Sequence, residues 1–275
     1  MKLTVLVDNN TFLDQIFISE AGLSYFIEVD GKKILFDVGY SDAFLKNAQK
    51  LDIDLRQIDF VVLSHGHFDH TWGLPFLAKF LSESKSAKKP ILITNPAAFA
   101  SRKIKKTKEI GANMSAELLS NSFKLNLCAE TVQITKNLLY LGEIPRENEF
   151  EAKKPLGNVI ADRRKTPDFI MDDSAMVYRS KAGLVIITGC SHSGICNIVA
   201  YARKIMKDDR ILDIVGGFHL LKPSASQLSG TLDYMKKLNP KAIHACHCTD
   251  LRSKIALAGV ANLDEIGSGV VLRYS

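Results

Sequence analysis

The chain has 275 residues, of which 46% are hydrophobic and 24% are charged, and its formal net charge is +6. These values are typical of a folded globular protein, and they exclude a disordered, collagen-like or coiled-coil chain. A chain of this length buries a full core without disulfides or a structural metal, so metal ligands in it need a functional explanation.

The sequence offers no segment that could cross or target a membrane. Its longest apolar runs, such as residues 184–187, are far shorter than the roughly 20 residues that a bilayer requires. The first ten residues lack the long apolar stretch of a signal peptide. The five cysteines are an odd number, which favours reduced thiols. We therefore expect a cytoplasmic protein with no membrane partner.

The first third of the chain predicts strands followed by helices. Short runs of branched residues predict strands at residues 3–7, 23–29, 33–36 and 60–63. Asp30 and Gly31 form a hairpin signal between two of them. Helices are predicted after Ser41-Asp42, and around Leu77, where apolar residues recur at intervals of three and four.

The middle of the chain, residues 82–170, is less regular. It contains a predicted strand at 91–94 and a basic stretch that we expect to be helical. The stretch fits either a solvated helix face or a patch that attracts an anionic substrate. No aromatic or glycine pattern of an RNA module accompanies it, so the sequence does not favour a nucleic-acid partner. Its basic residues are Lys79, Lys85, Lys88, Lys89, Arg102, Lys103, Lys105, Lys106 and Lys108.

The last third alternates strands and helices. Strands are predicted at residues 175–178, 184–188, 211–215, 242–245 and 269–273. Helices are predicted at 194–206, after the capping box Ser224-x-x-Gln227, and at 249–258. Both halves of the chain begin with strands and then gain helices. We expect a single α/β domain over residues 1–275, with two similar halves whose sheets pack together.

Histidines follow the predicted strands. Six of the seven lie just after a strand, where loops project from a sheet edge and binding groups often sit. The densest cluster places His65, His67, Asp69 and His70 within six residues. Imidazole with carboxylate suits zinc, and also manganese or iron. The sequence therefore predicts a metal site at this loop.

Three further segments carry histidines. His192 follows strand 184–188 and is well placed to complete a three-histidine site, while the glycines and helix start beside it offer backbone N–H groups to an anion. His219 and His247 follow later strands, and His247 is the better candidate ligand. His244, inside a strand, is expected to be packed or to support a ligand. A zinc knuckle on the cysteines at 246 and 248 is a weaker alternative.

The order of these motifs resembles the metallo-β-lactamase fold superfamily over residues 5–273. That resemblance implies a four-layer αββα sandwich, and it gives Asp37 the role of an aspartate that supports the metal ligands. Finer features look like a subfamily typified by archaeal dihydropterin-(ribofuranosyl)aminobenzene-phosphate synthases of methanopterin biosynthesis. These features are residues 6–9, 63–67, 142–146, 189–194, 217–220 and 247–249.

The resemblance implies two divalent metal ions, with zinc as the first choice and manganese or iron as alternatives. His65, His67 and His192 would hold one ion. Asp69 would help to hold the second and take part in catalysis. The other ligands of the second ion would be His70, His247 and His219.

The role of His219 stays open, because relatives bridge their ions with an aspartate and an imidazole cannot bridge in that way. His219 would bind the second ion or contact the substrate. Catalytic roles are expected for Asp37, Asp69 and His219. Contacts with a small anionic substrate, expected to be phosphorylated, would come from Asn9, Arg146, Ser191, Ser193 and Gly194.

Three functions fit these motifs. The first is a metal-dependent hydrolase of phosphodiesters or related esters, which uses a water activated between two ions. The second is a transferase that acts on a dihydropterin diphosphate and releases pyrophosphate. The third is a metal-binding module without catalysis. The sequence leaves the oligomeric state open, and a homo-oligomer is compatible with it.

Overall fold

The computed structural model describes residues 1–83, 88–104, 108–161 and 164–275. The strands in chain order are β1 (Lys2–Val7), β2 (Ser24–Val29), β3 (Lys32–Phe36), β4 (Phe60–Val62), β5 (Ile91–Thr94), β6 (Ser101–Ile104), β7 (Lys108–Glu109), β8 (Lys124–Leu127), β9 (Val132–Gln133), β10 (Leu138–Tyr140), β11 (Asn158–Ala161), β12 (Arg164–Pro167), β13 (Ala175–Arg179), β14 (Leu184–Thr188), β15 (Ile211–Gly217), β16 (Ala242–Cys246) and β17 (Val271–Arg273).

Some of the helices begin where the sequence supplies a capping side chain. Ser224 accepts a hydrogen bond from the N–H of Gln227, as the capping box predicts, and Asp250 caps the last helix by accepting from Ser253. Short 3-10 turns lie at Leu55–Gln57 and Pro96–Phe99. The α-helices are α1 (Ala43–Lys50), α2 (Phe68–Thr71), α3 (Leu74–Glu83), α4 (Ala116–Leu119), α5 (Ile195–Met206), α6 (Ala225–Leu238) and α7 (Leu251–Ala258).

Within the described residues the strands form three sheets. The first has the order β17-β1-β2-β3-β4-β5-β8, with β3, β4, β5 and β8 parallel. The second has the order β16-β15-β14-β13-β10-β9, with β14, β15 and β16 parallel. A small antiparallel sheet, β12-β11-β6-β7, lies beside them. Because parallel strands end at one edge, the loops after β14, β15 and β16 meet there.

The two large sheets pack face to face between layers of helices. Along β14 the side chains alternate, so that Val185 and Ile187 join the core between the sheets while Ile186 joins the core beneath the helices. Phe44 of α1 and Leu77 of α3 cover the outer face of the first sheet. Helices α5, α6 and α7 cover the second sheet. The predicted four-layer αββα sandwich with two α/β halves is therefore confirmed.

The helix predicted for the basic stretch is wrong where the structure describes it, because residues 101–104 and 108–109 form the antiparallel strands β6 and β7 of the small sheet. Lys79 lies on α3, and Lys85, Lys105 and Lys106 fall outside the described residues. Arg102 is only 2% exposed, so it is part of neither a solvated helix face nor a substrate patch. Charge density alone misled the prediction, because it cannot show which charge is buried.

None of the helices that the structure describes is long and apolar enough to cross a membrane.

Candidate metal centre

The loop after β4, called here the first histidine loop (residues 64–70), is organised by Asp37. This fully buried carboxylate accepts hydrogen bonds from the N–H and the hydroxyl of Ser64, each at 2.7 Å. Its Oδ2 also lies 2.7 Å from Nδ1 of His70. The Ser64 hydroxyl in turn lies 2.9 Å from Nδ1 of His65. Asp37 therefore fixes His70 directly and His65 through Ser64, which leaves the Nε2 atoms of both rings facing the interior.

The same loop is held from outside by a buried ion-pair network. The N–H of Gly66 donates to Oδ2 of Asp172 at 2.8 Å. The Arg102 guanidinium bridges Asp172 and Asp168, with its Nε 2.8 Å from Oδ2 of Asp168. A Cβ on Gly66 would lie 1.9 Å from the carbonyl oxygen of Ala98, so the loop needs glycine here for close packing.

The loop after β14, called here the second histidine loop (residues 189–194), presents His192. Ser193 donates from its N–H and its hydroxyl to Oδ2 of Asp173, at 2.9 and 2.5 Å. Ser191 has a positive φ of 60° and donates to the carbonyl oxygen of Gly217 at 2.6 Å. These bonds fix the loop backbone on both sides of His192, which is 7% exposed.

From the sequence we expected the N–H groups at the start of α5 to be free to bind an anion. In the structure a carboxylate of the same chain already accepts hydrogen bonds from them. The Glu151 carboxylate accepts from the N–H groups of Cys196 and Asn197, at 3.0 and 3.1 Å. A Cβ on Gly194, whose φ is 97°, would lie 2.3 Å from Oε2 of Glu151. The helix dipole is therefore already satisfied by a carboxylate of the same chain.

His219 and His247 follow β15 and β16 with positive φ values of 52° each. Nδ1 of His247 lies 2.9 Å from the side-chain oxygen of Asn9, and its Nε2 lies 3.3 Å from Oδ2 of Asp69. Asn9 thus orients His247 in this structure. The N–H of His219 donates to the Cys248 sulfur at 3.3 Å.

Strand β16 ends at Cys246, and His247 turns the chain with its positive φ. Cys246 packs in the core between the sheets, with its sulfur 3.3 Å from the Tyr25 hydroxyl. His244 is buried against Asp213, with Nδ1 2.9 Å from the carboxylate. His244 is therefore packed within the fold, as one of its two expected roles requires.

The histidines come together although the sequence separates them widely. The ring centres of His65, His67 and His192 lie 4.6–4.7 Å apart. His219 is 4.3 Å from His192, while His70 and His247 lie 4.9 Å apart. The loops of both halves therefore meet in one pocket.

Several nitrogen and oxygen atoms in this pocket are buried without a hydrogen-bond partner among the described residues. They are His67 Nε2, Asp69 Oδ1, His192 Nε2, His219 Nδ1 and His247 Nε2. An unpaired buried polar atom costs about 1–3 kcal/mol, so a cluster of them indicates that something else binds there. Imidazole nitrogens with a carboxylate oxygen suit a divalent metal ion.

The donor atoms form two groups, each with all its atoms within 4.8 Å of one another. The first group consists of His65, Cys190 and His192. The second consists of Asp69, His70, Cys190 and His247. His67 adjoins the first group, because its Nδ1 lies 2.9 Å from Nε2 of His65. Cys190 was missed as a donor in the sequence, although it lies two residues before His192 on the same strand-end loop.

Burial sets the protonation of the first group. It lowers the pKa of His65 and His192 well below the ordinary histidine value and that of His67 to about 3, so these rings are neutral and able to bind a metal. Burial also lowers the pKa of His70, but the charges of Asp37 and Asp69 outweigh it and raise that pKa to about 9. The second group therefore carries the stronger negative field.

A cavity of about 350 Å³ opens beside His192 and His219. Ser191 and Gly194 line it, and so do the side chains of Lys153, Lys154, Lys222, Phe150 and Phe169. Arg146 instead donates to the carbonyl oxygens of residues 169 and 170, at 2.6 and 2.9 Å, and so holds one wall of the cavity. The basic groups at the cavity therefore come from other positions than the sequence suggested.

Known proteins are similar to this chain in sequence and in fold. A model of the metallo-beta-lactamase superfamily matches residues 20–85. An uncharacterized protein of Methanocaldococcus jannaschii is 32% identical over 94% of both chains. The 7,8-dihydropterin-6-methyl-4-(beta-D-ribofuranosyl)-aminobenzene-5'-phosphate synthase of the same organism is 29% identical, over 92% of this chain and 89% of the synthase.

A solved structure extends the likeness to three dimensions. The crystal structure of Tm1679, described as a metal-dependent hydrolase of the beta-lactamase superfamily, is 31% identical. It superimposes with a TM-score of 0.84 over 100% of this chain and 99% of Tm1679. The sequence match, the αββα layers and the histidine pocket agree with one another. The chain belongs to the metallo-beta-lactamase superfamily.

Proposed function

We propose that the protein is a metal-dependent hydrolase of phosphodiesters or related esters, with a two-metal site as its catalytic centre. The observation that carries the proposal is the set of buried, unpartnered donor atoms that converge beside an open cavity. The chemistry that divalent ions supply in such a site is an activated water and a polarised ester oxygen. Zinc is the first choice, with manganese or iron as alternatives.

The protein's own residues divide the work. His65, His67 and His192 would hold one ion, and Asp69 with the histidines at 70, 219 and 247 would hold the other. Asp37 keeps His70 in position through its 2.7 Å contact with Nδ1. The loss of such a supporting contact typically costs about 10–100-fold in metal affinity or activity.

The cavity supports a small anionic substrate. Lys153, Lys154 and Lys222 supply positive charge at its lining, which favours a phosphorylated group. Ser191 and Gly194 lie at the end of the cavity that contains His192.

A second candidate function is a transferase that acts on a dihydropterin diphosphate. The relative named as an aminobenzene-phosphate synthase favours it, and Phe150 and Phe169 line the same cavity, where an aromatic substrate would contact them. The two functions differ in their products. Pyrophosphate released only when an aminobenzene acceptor is present would support transfer, and release without acceptor would support hydrolysis.

The proposed function is tested with metal-reconstituted protein and a panel of phosphodiesters, phosphonate esters, thioesters and pterin diphosphates. Asp69→Ala should abolish turnover and leave the fold intact, because Asp69 is a ligand and its Oδ1 lacks any protein partner among the described residues. The matched control is Asp233→Ala, an exposed position on α6, which should retain full activity. Normal turnover by Asp69→Ala would refute the assignment. A wild-type protein that binds metal but acts on no substrate would favour a binding module.

A further inference from the structure

We propose that Cys190 is a ligand shared by both metal ions, with its thiolate sulfur between the two donor groups. Cys190 contributes a donor atom to each group, within 4.8 Å of His65 and His192 on one side and of Asp69 and His247 on the other. Its sulfur also lies 3.2 Å from Nε2 of His70. The proposal rests on the metal centre proposed above, but not on the reaction catalysed there.

The surroundings of Cys190 point to a ligand and not to a packed thiol. Cys190 is 4% exposed and belongs to none of the hydrophobic clusters formed by the described residues. The equally buried Cys196 and Cys246 do belong to such clusters. Unpartnered nitrogens of His192 and His247 lie in the same groups as the Cys190 sulfur. A soft donor therefore faces donors that need a partner.

The neighbouring Cys248 does not compete for this role. Its sulfur lies 3.3 Å from the Cys190 carbonyl oxygen, and it accepts the N–H of His219 at the same distance. It belongs to neither donor group in the described part of the chain. Cys248 thus supports the backbone of two ligand-bearing loops, while Cys190 turns its sulfur toward the ligands.

A thiolate can perform the bridging task that His219 cannot. Each imidazole nitrogen has a single lone pair, whereas a thiolate sulfur has several and can bind two ions at once. Metal binding would release the Cys190 thiol proton to solvent and leave the sulfur as the bound anion. The soft thiolate sulfur would also favour ions such as zinc over magnesium or calcium.

The test uses the full chain, freed of metal by chelation and then titrated with Co²⁺. Thiolate bound to Co²⁺ gives a near-ultraviolet charge-transfer band that imidazole and carboxylate ligands do not give. We expect this band to grow through both the first and the second equivalent of Co²⁺. Growth through one equivalent alone would overturn the shared role.

Variants identify the sulfur. Cys190→Ser should lose the band and bind zinc at least about tenfold more weakly, since a neutral hydroxyl is a poor metal ligand. Cys190→Asp should also lose the band but hold two ions, because a carboxylate can bridge them. Cys248→Ser, the matched control, should keep the band. A band that persists in Cys190→Ser would overturn the proposal, and if that variant fails to fold, Cys190→Asp decides.

Metal counting separates this proposal from the proposed function. Wild-type protein that binds no metal would refute both. Two bound ions without the charge-transfer band would refute the role of Cys190 and leave the metal centre standing. Two ions with the band, but no turnover of any ester, would refute hydrolysis and support Cys190 as a ligand.

Discussion

Each histidine loop is held by a buried aspartate, but the two aspartates have different partners for their negative charge. Consecutive buried aspartates hold them, Asp172 through the N–H of Gly66 and Asp173 through Ser193. Asp172 faces the Arg102 guanidinium, whereas Asp173 is held by neutral donors from Ser193. The first loop thus depends on an ion pair, and the second is held by hydrogen bonds from Ser193. The comparison shows that two adjacent aspartates can hold loops from both halves of a pocket, one with an arginine as its partner and the other with a serine.

The largest expected effect is on the tether of the first loop. Arg102→Leu leaves Asp168 and Asp172 buried without their cation, which typically costs about 3–5 kcal/mol. Urea unfolding measures the loss. The matched control is Arg56→Leu, whose ion pair with Asp54 is exposed and should matter much less. Equal losses in the two variants would show that the first loop does not depend on the ion pair.

For the second loop, the free energy of unfolding should instead depend on pH through Asp173. Burial raises the pKa of Asp173 from 3.8 to about 6, so the folded protein holds the proton more tightly than the unfolded chain. The free energy of unfolding therefore loses up to about 3 kcal/mol from this group as pH rises from about 4 to about 6. Asp173→Asn, which cannot ionise, should lack this loss.

Urea unfolding of metal-free protein at several pH values between 4 and 7 measures the difference. The stability of Asp173→Asn relative to wild type should rise with pH across this window. Parallel pH profiles for the two proteins would mean that the charge of Asp173 is stabilised in the fold as well as that of Asp172. The proposed difference between the two loops would then be wrong.

The smallest effect is expected from one hydrogen bond of the second loop. Ser193→Ala removes the hydroxyl donor to Asp173 but keeps the backbone donor. We expect a loss of about 1.5–2 kcal/mol in the free energy of unfolding, at the low end of the range for a hydrogen bond to a charged group. Ser229→Ala on the exposed face of α6 is the control and should be close to neutral. A loss as large as that of Arg102→Leu would reverse the ranking.

The features that sequence predicts well are local. A continuous run of apolar residues predicts β14, because a strand between two cores must be apolar on both faces. Ser224 marks the start of α6, since its hydroxyl caps the first turn. The histidines follow the strands directly, which predicts that their side chains lie close together, because the carboxyl ends of neighbouring parallel strands share one edge of the sheet.

The features that sequence does not predict depend on distant partners. Arg102 stands among lysines, and only the fold brings it to Asp168 and Asp172, 66 and 70 residues away. The sequence does not distinguish Cys190 from any other reduced thiol, because its neighbouring donor groups come from distant parts of the chain. Charge and residue type are the same in either setting, so burial and partners had to come from the structure.

The aspartate pair has a geometric consequence for the pocket. Adjacent Cα atoms across a trans peptide are about 3.8 Å apart, a length set by covalent bonds. Asp172 holds the first histidine loop and Asp173 holds the second, so the short distance between the two residues limits how far the loops can separate. A ligand that pushed the two histidine loops apart would therefore have to break one of these tethers.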